Sequence, residues 1–152
     1  GFRYSKTVEV IRHQLKQIGQ IEKIVAITMN DVAKYGIHLI EVFASVDFNF
    51  IFGSSVIVKS TESSHVCCIS NKDYEIELSV IEKGAKIFKI IIIGKEGIID
   101  EDVQDNYYSF RSMLKEFHAS YLLKKPMFNP TETIEILSLI SKAHKSVINL
   151  KR

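Results

Sequence analysis

The chain has 152 residues, of which 46% are hydrophobic and 25% charged, and a formal net charge of +2. That supplies the core of one ordinary globular domain, expected to span residues 1–152. Lys and Arg are scattered along the chain, so no basic patch points to nucleic acid or an anionic membrane, and the longest apolar run, Ile90–Ile93, is far too short to cross a bilayer.

The first segment, Ser5 to Ile18, carries Val8, Ile11, Leu15 and Ile18 at helical spacing. Ser5 is placed to cap its start and Gly19 to end it in the left-handed conformation. Ile21 to Thr28 is short and β-branched, which predicts a strand. Asp31 to Val46 returns to helical spacing through Ile37, Ile40 and Phe43/Ala44, with Gly36 as a weak point inside it.

Strands dominate the middle: Ser55–Lys59, His65–Ser70, Tyr74–Ile81, Lys86–Ile93 and a short one near Ile98 and Ile99. Polar turns such as Asn71-Lys72-Asp73 and Gly94-Lys95-Glu96-Gly97 separate them. Tyr74, Ile76, Leu78 and Val80 alternate with polar residues, so that strand has one wet face. Ile87, Phe88 and Ile90–Ile93 are apolar on both faces, so either both faces are covered within the domain or one packs on another subunit.

Helical spacing returns at the end, first as Phe110, Met113/Leu114, Phe117 and Tyr121, then as Ile136, Leu139/Ile140, Ala143 and Val147. Asn129-Pro130-Thr131-Glu132 opens the second of these as cap, first helical residue and acidic third position. Consecutive strands flanked by helices predict an α+β fold, a mostly antiparallel sheet with helices on one face and an open face used for oligomerisation.

The adjacent Cys67 and Cys68 would point to opposite faces of a strand and form no disulfide framework. That favours a reducing compartment, and with no charged segment leading into an apolar one at the start, a cytoplasmic location is expected. None of the seven glycines forms a phosphate-cradling loop. No zinc or calcium spacing occurs, and the run Asp100-Glu101-Asp102 reads as a solvated turn, so no metal is expected. No serine or cysteine nucleophile with a partner base is visible, which disfavours a small free-standing hydrolase.

The chemistry concentrates in Asn30 to Glu41. In a regular helix His38 would share one side with Lys34, Tyr35 and Glu41, and with Asp31 further back. A histidine flanked by a carboxylate and a cation can serve as a general acid or base. Spacing alone leaves two readings open, an ion network on a helix face and a proton-transfer site. His118, beside the Phe117 stripe, is a further candidate for a cleft.

Three ordered stretches resemble the C-terminal domain of the Gfo/Idh/MocA oxidoreductases, the group of glucose–fructose oxidoreductase and inositol dehydrogenase. They are Gly1-Phe2-Arg3-Tyr4-Ser5 with Ile18-Gly19-Gln20-Ile21, then Lys34-Tyr35-Gly36-Ile37-His38-Leu39-Ile40-Glu41, then Phe110 to Phe117 with Pro130 and Ala143-His144-Lys145-Ser146. The resemblance implies NAD(P)-dependent hydride transfer at a sugar or polyol hydroxyl, with His38 as acid/base and Lys34 and Tyr35 as sharers of that role. Lys34 stands where many members carry Asp, and Glu41 where Asp is usual. Arg3, Tyr4, Asp31, Glu41 and His118 become substrate-binding candidates. The resemblance also implies a Rossmann domain outside this chain, a homodimer or tetramer through the sheet face, and no nicotinamide bound by this chain alone, which is then inactive by itself. The rival expectation is a non-catalytic oligomerisation or ligand-sensing module on the same sheet.

Overall fold

The computed structural model describes residues 1–103, 107–126 and 129–150. In chain order the elements are α1 (Lys6–Gln14), β1 (Ile21–Met29), α2 (Ile37–Val46), β2 (Ser55–Ser60), β3 (Ser64–Ser70), β4 (Glu75–Ile81), β5 (Lys89–Gly94), β6 (Ile98–Asp102), α3 (Tyr107–Leu123) and α4 (Pro130–Leu150). Short 3-10 turns occupy Phe2–Tyr4 and Phe48–Phe50, and a π-helical turn, Val32–Gly36, leads into α2.

The strands form one sheet in the order β2-β3-β4-β1-β5-β6. It is α+β and mostly antiparallel, as the run of strands predicts. The hairpin-linked neighbours β2–β3, β3–β4 and β5–β6 pair antiparallel. β1 inserts between β4 and β5, parallel to the first and antiparallel to the second.

Register follows side-chain alternation. Ile24 and Ala26 of β1 sit level with Ile76 and Leu78 on one side and with Ile92 and Ile90 on the other. All six are at most 1% exposed and form the centre of the core. Phe43, Leu39 and Ile40 of α2 and Ile136, Leu139 and Ala143 of α4 complete it. The opposite face carries half-buried Val25, Ile27, Val66, Cys68, Ile91 and Ile93, bordered by the Lys23–Glu77 pair at 3.4 Å. This open face is the apolar second side foreseen for the Ile90–Ile93 strand.

Several local features depart from a plain reading of periodicity. α1 ends at Gln14 rather than Ile18. Gly19 is left-handed, as expected, at φ 69°, but in the turn before β1 rather than at a helix end. Ser5 stands at the head of α1, yet its hydroxyl makes no capping bond. The stripe of α3 faces outward: Phe110, Phe117 and Tyr121 are 53%, 61% and 75% exposed. α3 instead packs on the Phe2–Tyr4 turn, and Ser109 is its buried residue. Asn129 caps α4 as expected, its side-chain oxygen accepting from the Thr131 N–H at 3.0 Å.

Gly94 marks a close approach. A Cβ there would lie 2.2 Å from the carbonyl oxygen of Ile18, so the β5–β6 turn is pressed against the backbone entering β1.

Candidate functional site

β1 delivers the chain to Asn30, whose positive φ of 64° turns the backbone out of the sheet, while its N–H donates to the Ile81 carbonyl at 2.7 Å. Asp31 follows as a cap, its carboxylate accepting from the Lys34 N–H at 2.9 Å. The next five residues wind as a π turn, which widens the helix and rotates the residues before His38 away from the positions a regular helix would give. Gly36 lets that turn lie close on the sheet, since a Cβ there would meet Leu78 Cδ2 at 3.2 Å.

The wider turn separates the predicted polar residues. Lys34 is exposed. Tyr35 turns toward Phe88, ring centroids 5.8 Å apart and edge-on. Asp31 is engaged in its cap. His38 and Glu41 remain together, with His38 Nδ1 3.7 Å from a Glu41 carboxylate oxygen. At that separation the pair is a polar contact rather than a hydrogen bond, and Nδ1 is buried without a hydrogen-bond partner. The His38 side chain as a whole is 35% exposed, so its accessible part lies away from Nδ1.

Aromatic rings wall the imidazole. Phe2 lies 4.5 Å from it, tilted by 31°, and Phe88 lies 6.4 Å away. Phe2 and Phe88 stack on each other at 5.6 Å. A histidine held this way keeps one nitrogen toward a carboxylate and can exchange a proton at its open edge.

Arg3 joins the group from the chain start. Its side chain, 11% exposed, lies 3.7 Å from Glu41 and 3.6 Å from Glu132 in the first turn of α4. An ionic line therefore runs from Glu132 through Arg3 and Glu41 to His38. Burial pushes the Glu41 carboxyl up, but the His38 ring, the Gly1 amino group and Arg3 together hold it below the usual glutamate value. Burial raises the Tyr4 phenol against the pull of Arg3, and Glu116, Glu41 and Glu132 add to the rise.

Two cavities flank Arg3 and Tyr4. One, of about 460 Å³, is lined by Arg3, Tyr4, Ser5, Arg12, Ser112 and Glu132 among others. The other, of about 530 Å³, is more apolar and is lined by Arg3, Tyr4, Glu41, Met113, Leu114 and Phe117 among others. Of the residues singled out in the sequence, His38, Glu41, Tyr35, Arg3 and Tyr4 thus share one neighbourhood. Lys34 and Asp31 stand at its margin, and His118 is exposed on α3.

Sequence reasoning missed Phe2, Phe88 and Glu132 as parts of this neighbourhood. Glu132 had a local explanation as the acidic residue of a helix start, which masked its role as a counter-charge. The one available signal was Arg3 itself, a cation between two aromatic residues that must find a carboxylate if buried. Among the described residues, no three His, Cys, Asp or Glu side chains gather as a metal site. No helix of the described residues is long and apolar enough to cross a membrane.

No family profile and no curated protein matches the sequence. Solved structures do match the fold. Myo-inositol dehydrogenase from Corynebacterium glutamicum superposes with a TM-score of 0.70 at 13% identity, over 96% of this chain and 61% of its own length. Myo-inositol dehydrogenase from Lactobacillus casei, solved with NAD(H) and myo-inositol, gives 0.68 at 14% identity, over 96% and 58%. UDP-N-acetylglucosamine 3-dehydrogenase from Acidithiobacillus ferrooxidans gives 0.67 at 9% identity, over 95% and 59%. The chain spans 61%, 58% and 59% of the length of these three structures, less than two thirds of each. The fold implied by the resemblance to the Gfo/Idh/MocA oxidoreductases is the fold observed.

Proposed function

We propose that this chain is the substrate-side domain of an NAD(P)-dependent oxidoreductase that acts on a sugar or polyol hydroxyl, with His38 as the proton acceptor. The observation that carries this reading is the half-open His38 ring, backed by Glu41 at 3.7 Å and walled by Phe2 and Phe88 at the end of β1. Glu41 stabilises the imidazolium that forms when the ring takes a hydroxyl proton. Arg3, Tyr4 and Glu132 line a polar cavity that is linked to His38 through the Arg3–Glu41 pair rather than lined by it, and they offer the donors and acceptors that a hydroxyl-rich ligand requires. Tyr35 supports the aromatic wall through Phe88.

Oxidation of an alcohol also needs a hydride acceptor, and the residues of this chain do not fit a dinucleotide. Its left-handed glycines, Gly19 and Gly53, are isolated and stand at no glycine-rich strand-to-helix turn. The hydride step is accordingly left to a nucleotide-binding domain outside this chain. The outward stripe of α3, with Leu114 and Phe117 bordering the Glu41 cavity, is the surface on which we would seat that domain. The shorter span of this chain relative to its structural neighbours supports the same reading.

The test is polyol-dependent reduction of NAD(P) by a polypeptide that joins this chain to such a domain. We expect His38→Ala to lower kcat by about 10²–10⁴-fold with little change in the folded state. Unchanged turnover in that variant would remove His38 from the chemistry.

A second reading, a non-catalytic module that pairs through its sheet, is favoured by the open face around Val25, Ile27, Ile91 and Ile93. It is compatible with the first, because that face is turned away from α2 and His38.

A further inference from the structure

We propose that Ser60, His65 and Glu82 form a second reactive centre, in which His65 activates the Ser60 hydroxyl as a nucleophile toward activated esters. The register of the sheet assembles it. Ser60 ends β2 directly opposite His65 on β3. His65 in turn pairs with Val80 on β4, and Glu82 follows two residues later on the same side. The centre sits on the opposite side of β1 from Phe88, toward the β2 edge of the sheet.

The distances are those of a nucleophile, a base and an orienting acid. His65 Nδ1 lies 2.8 Å from Ser60 Oγ, and His65 Nε2 lies 2.6 Å from a Glu82 carboxylate oxygen. An ionised carboxylate can only accept, so in the neutral ring Nε2 carries the proton and donates to Glu82. That leaves the Nδ1 lone pair facing Ser60, whose hydroxyl donates to it. The same logic of base and orienting group underlies activated serine nucleophiles generally.

Exposure divides the roles. The His65 side chain is 3% exposed and shielded from water, whereas that of Glu82 is 24% exposed. Ser60 is a partly exposed residue and adjoins the exposed hairpin residues Thr61, Glu62 and Ser63, the side from which a reagent would approach.

In the reaction Ser60 Oγ attacks the acyl carbon and its proton passes to His65 Nδ1, whose positive charge Glu82 offsets. The carbon–oxygen bond of the ester breaks, and the leaving alcohol takes that proton from His65. Water then hydrolyses the acyl-serine, releasing the acid and restoring the hydroxyl. Nothing beyond ester and water is consumed.

A fluorophosphonate probe tests this on the intact chain. Ser60 Oγ would bond to phosphorus with loss of fluoride, leaving a mass adduct that maps to Ser60. We expect the adduct in the wild type, none in Ser60→Ala, and labelling slowed at least about 10²-fold in both His65→Gln and Glu82→Gln. Ser60→Ala removes one partly exposed oxygen and serves as the control if either other variant fails to fold. A folded wild type that acquires no adduct at Ser60 under excess probe overturns the proposal. So does undiminished labelling in a folded His65→Gln variant.

Discussion

Replacing Arg3 by methionine keeps most of the length and the apolar stem of the side chain but removes the cation between two carboxylates. Glu41 at 3.7 Å and Glu132 at 3.6 Å are then left 26% and 25% exposed without that counter-charge. Breaking a fully buried pair costs about 3–5 kcal/mol, and an exposed pair about 0–1 kcal/mol. Partial exposure and contacts longer than hydrogen bonds put this case at about 1–3 kcal/mol at neutral pH. The sign with pH follows from Glu41. Its carboxyl is held below the ordinary value of 4.5, so its contribution is present above that value and is lost as pH falls through the lower, folded one. Arg3 is one of the groups that hold it down, so the penalty for losing Arg3 must shrink in acid. Urea unfolding of wild type and Arg3→Met at pH 7 and below roughly pH 4 measures this. An equal penalty at both values would mean that the loss does not come from the charge of Glu41, and the ionic line to His38 would lose its energetic basis.

Gly94→Ala should cost about 2–3 kcal/mol and lower the melting midpoint by roughly 5–10 °C, because the new methyl meets backbone at 2.2 Å and no side chain can yield. A wild-type melt would show that the turn shifts freely. Burial pushes the Cys67 thiol up to about 12, so at neutral pH a disulfide reagent should modify Cys68 in the folded chain and Cys67 only on unfolding. Equal rates for the two would contradict the packing of β3. Ile91→Lys puts a charge on the open sheet face opposite Asp100, where the monomer can accommodate it. Light scattering should give a dimer or larger for the wild type and the 17.4 kDa monomer for the variant, and a monomeric wild type would exclude the sheet interface.

Much of the architecture is legible in the residues. The alternation of Ile76, Leu78 and Val80 identifies a face, and all three are buried. Asn129-Pro130 marks the start of α4 because a cap and a pre-set φ act locally. Partner choice is different. Alternation tells a strand which side is wet but not which neighbour it has, so β1 beside β4 could not be read from Ile21–Met29. α3 shows a second limit. Its periodic stripe is real, but periodicity does not say whether the chain itself covers the stripe, and here Phe117 and Tyr121 stay outside.

The candidate site divides the same way. His38 and Glu41 lie one turn apart and were readable together. The π turn at Val32–Gly36 was not, because no residue in it demands the extra width, and Lys34 within it is exposed. Arg3 and Glu132 meet only through tertiary packing, far apart in sequence. Ser60 and His65 likewise come from two strands and Glu82 from the residue just after a third, so their meeting is set by sheet register rather than by any local motif.

The central position of β1 governs when this domain can be born. Ile24 needs Ile76 on one flank and Ile92 on the other, partners that the ribosome supplies long after it has made β1 itself. Until residue 94 has emerged, the middle of the sheet is missing a wall and the apolar side chains of β1 are unsheltered. Assembly is therefore a late, long-range event, slow by the standards of helical domains of this size, and the nascent N-terminal third is the segment most in need of a chaperone.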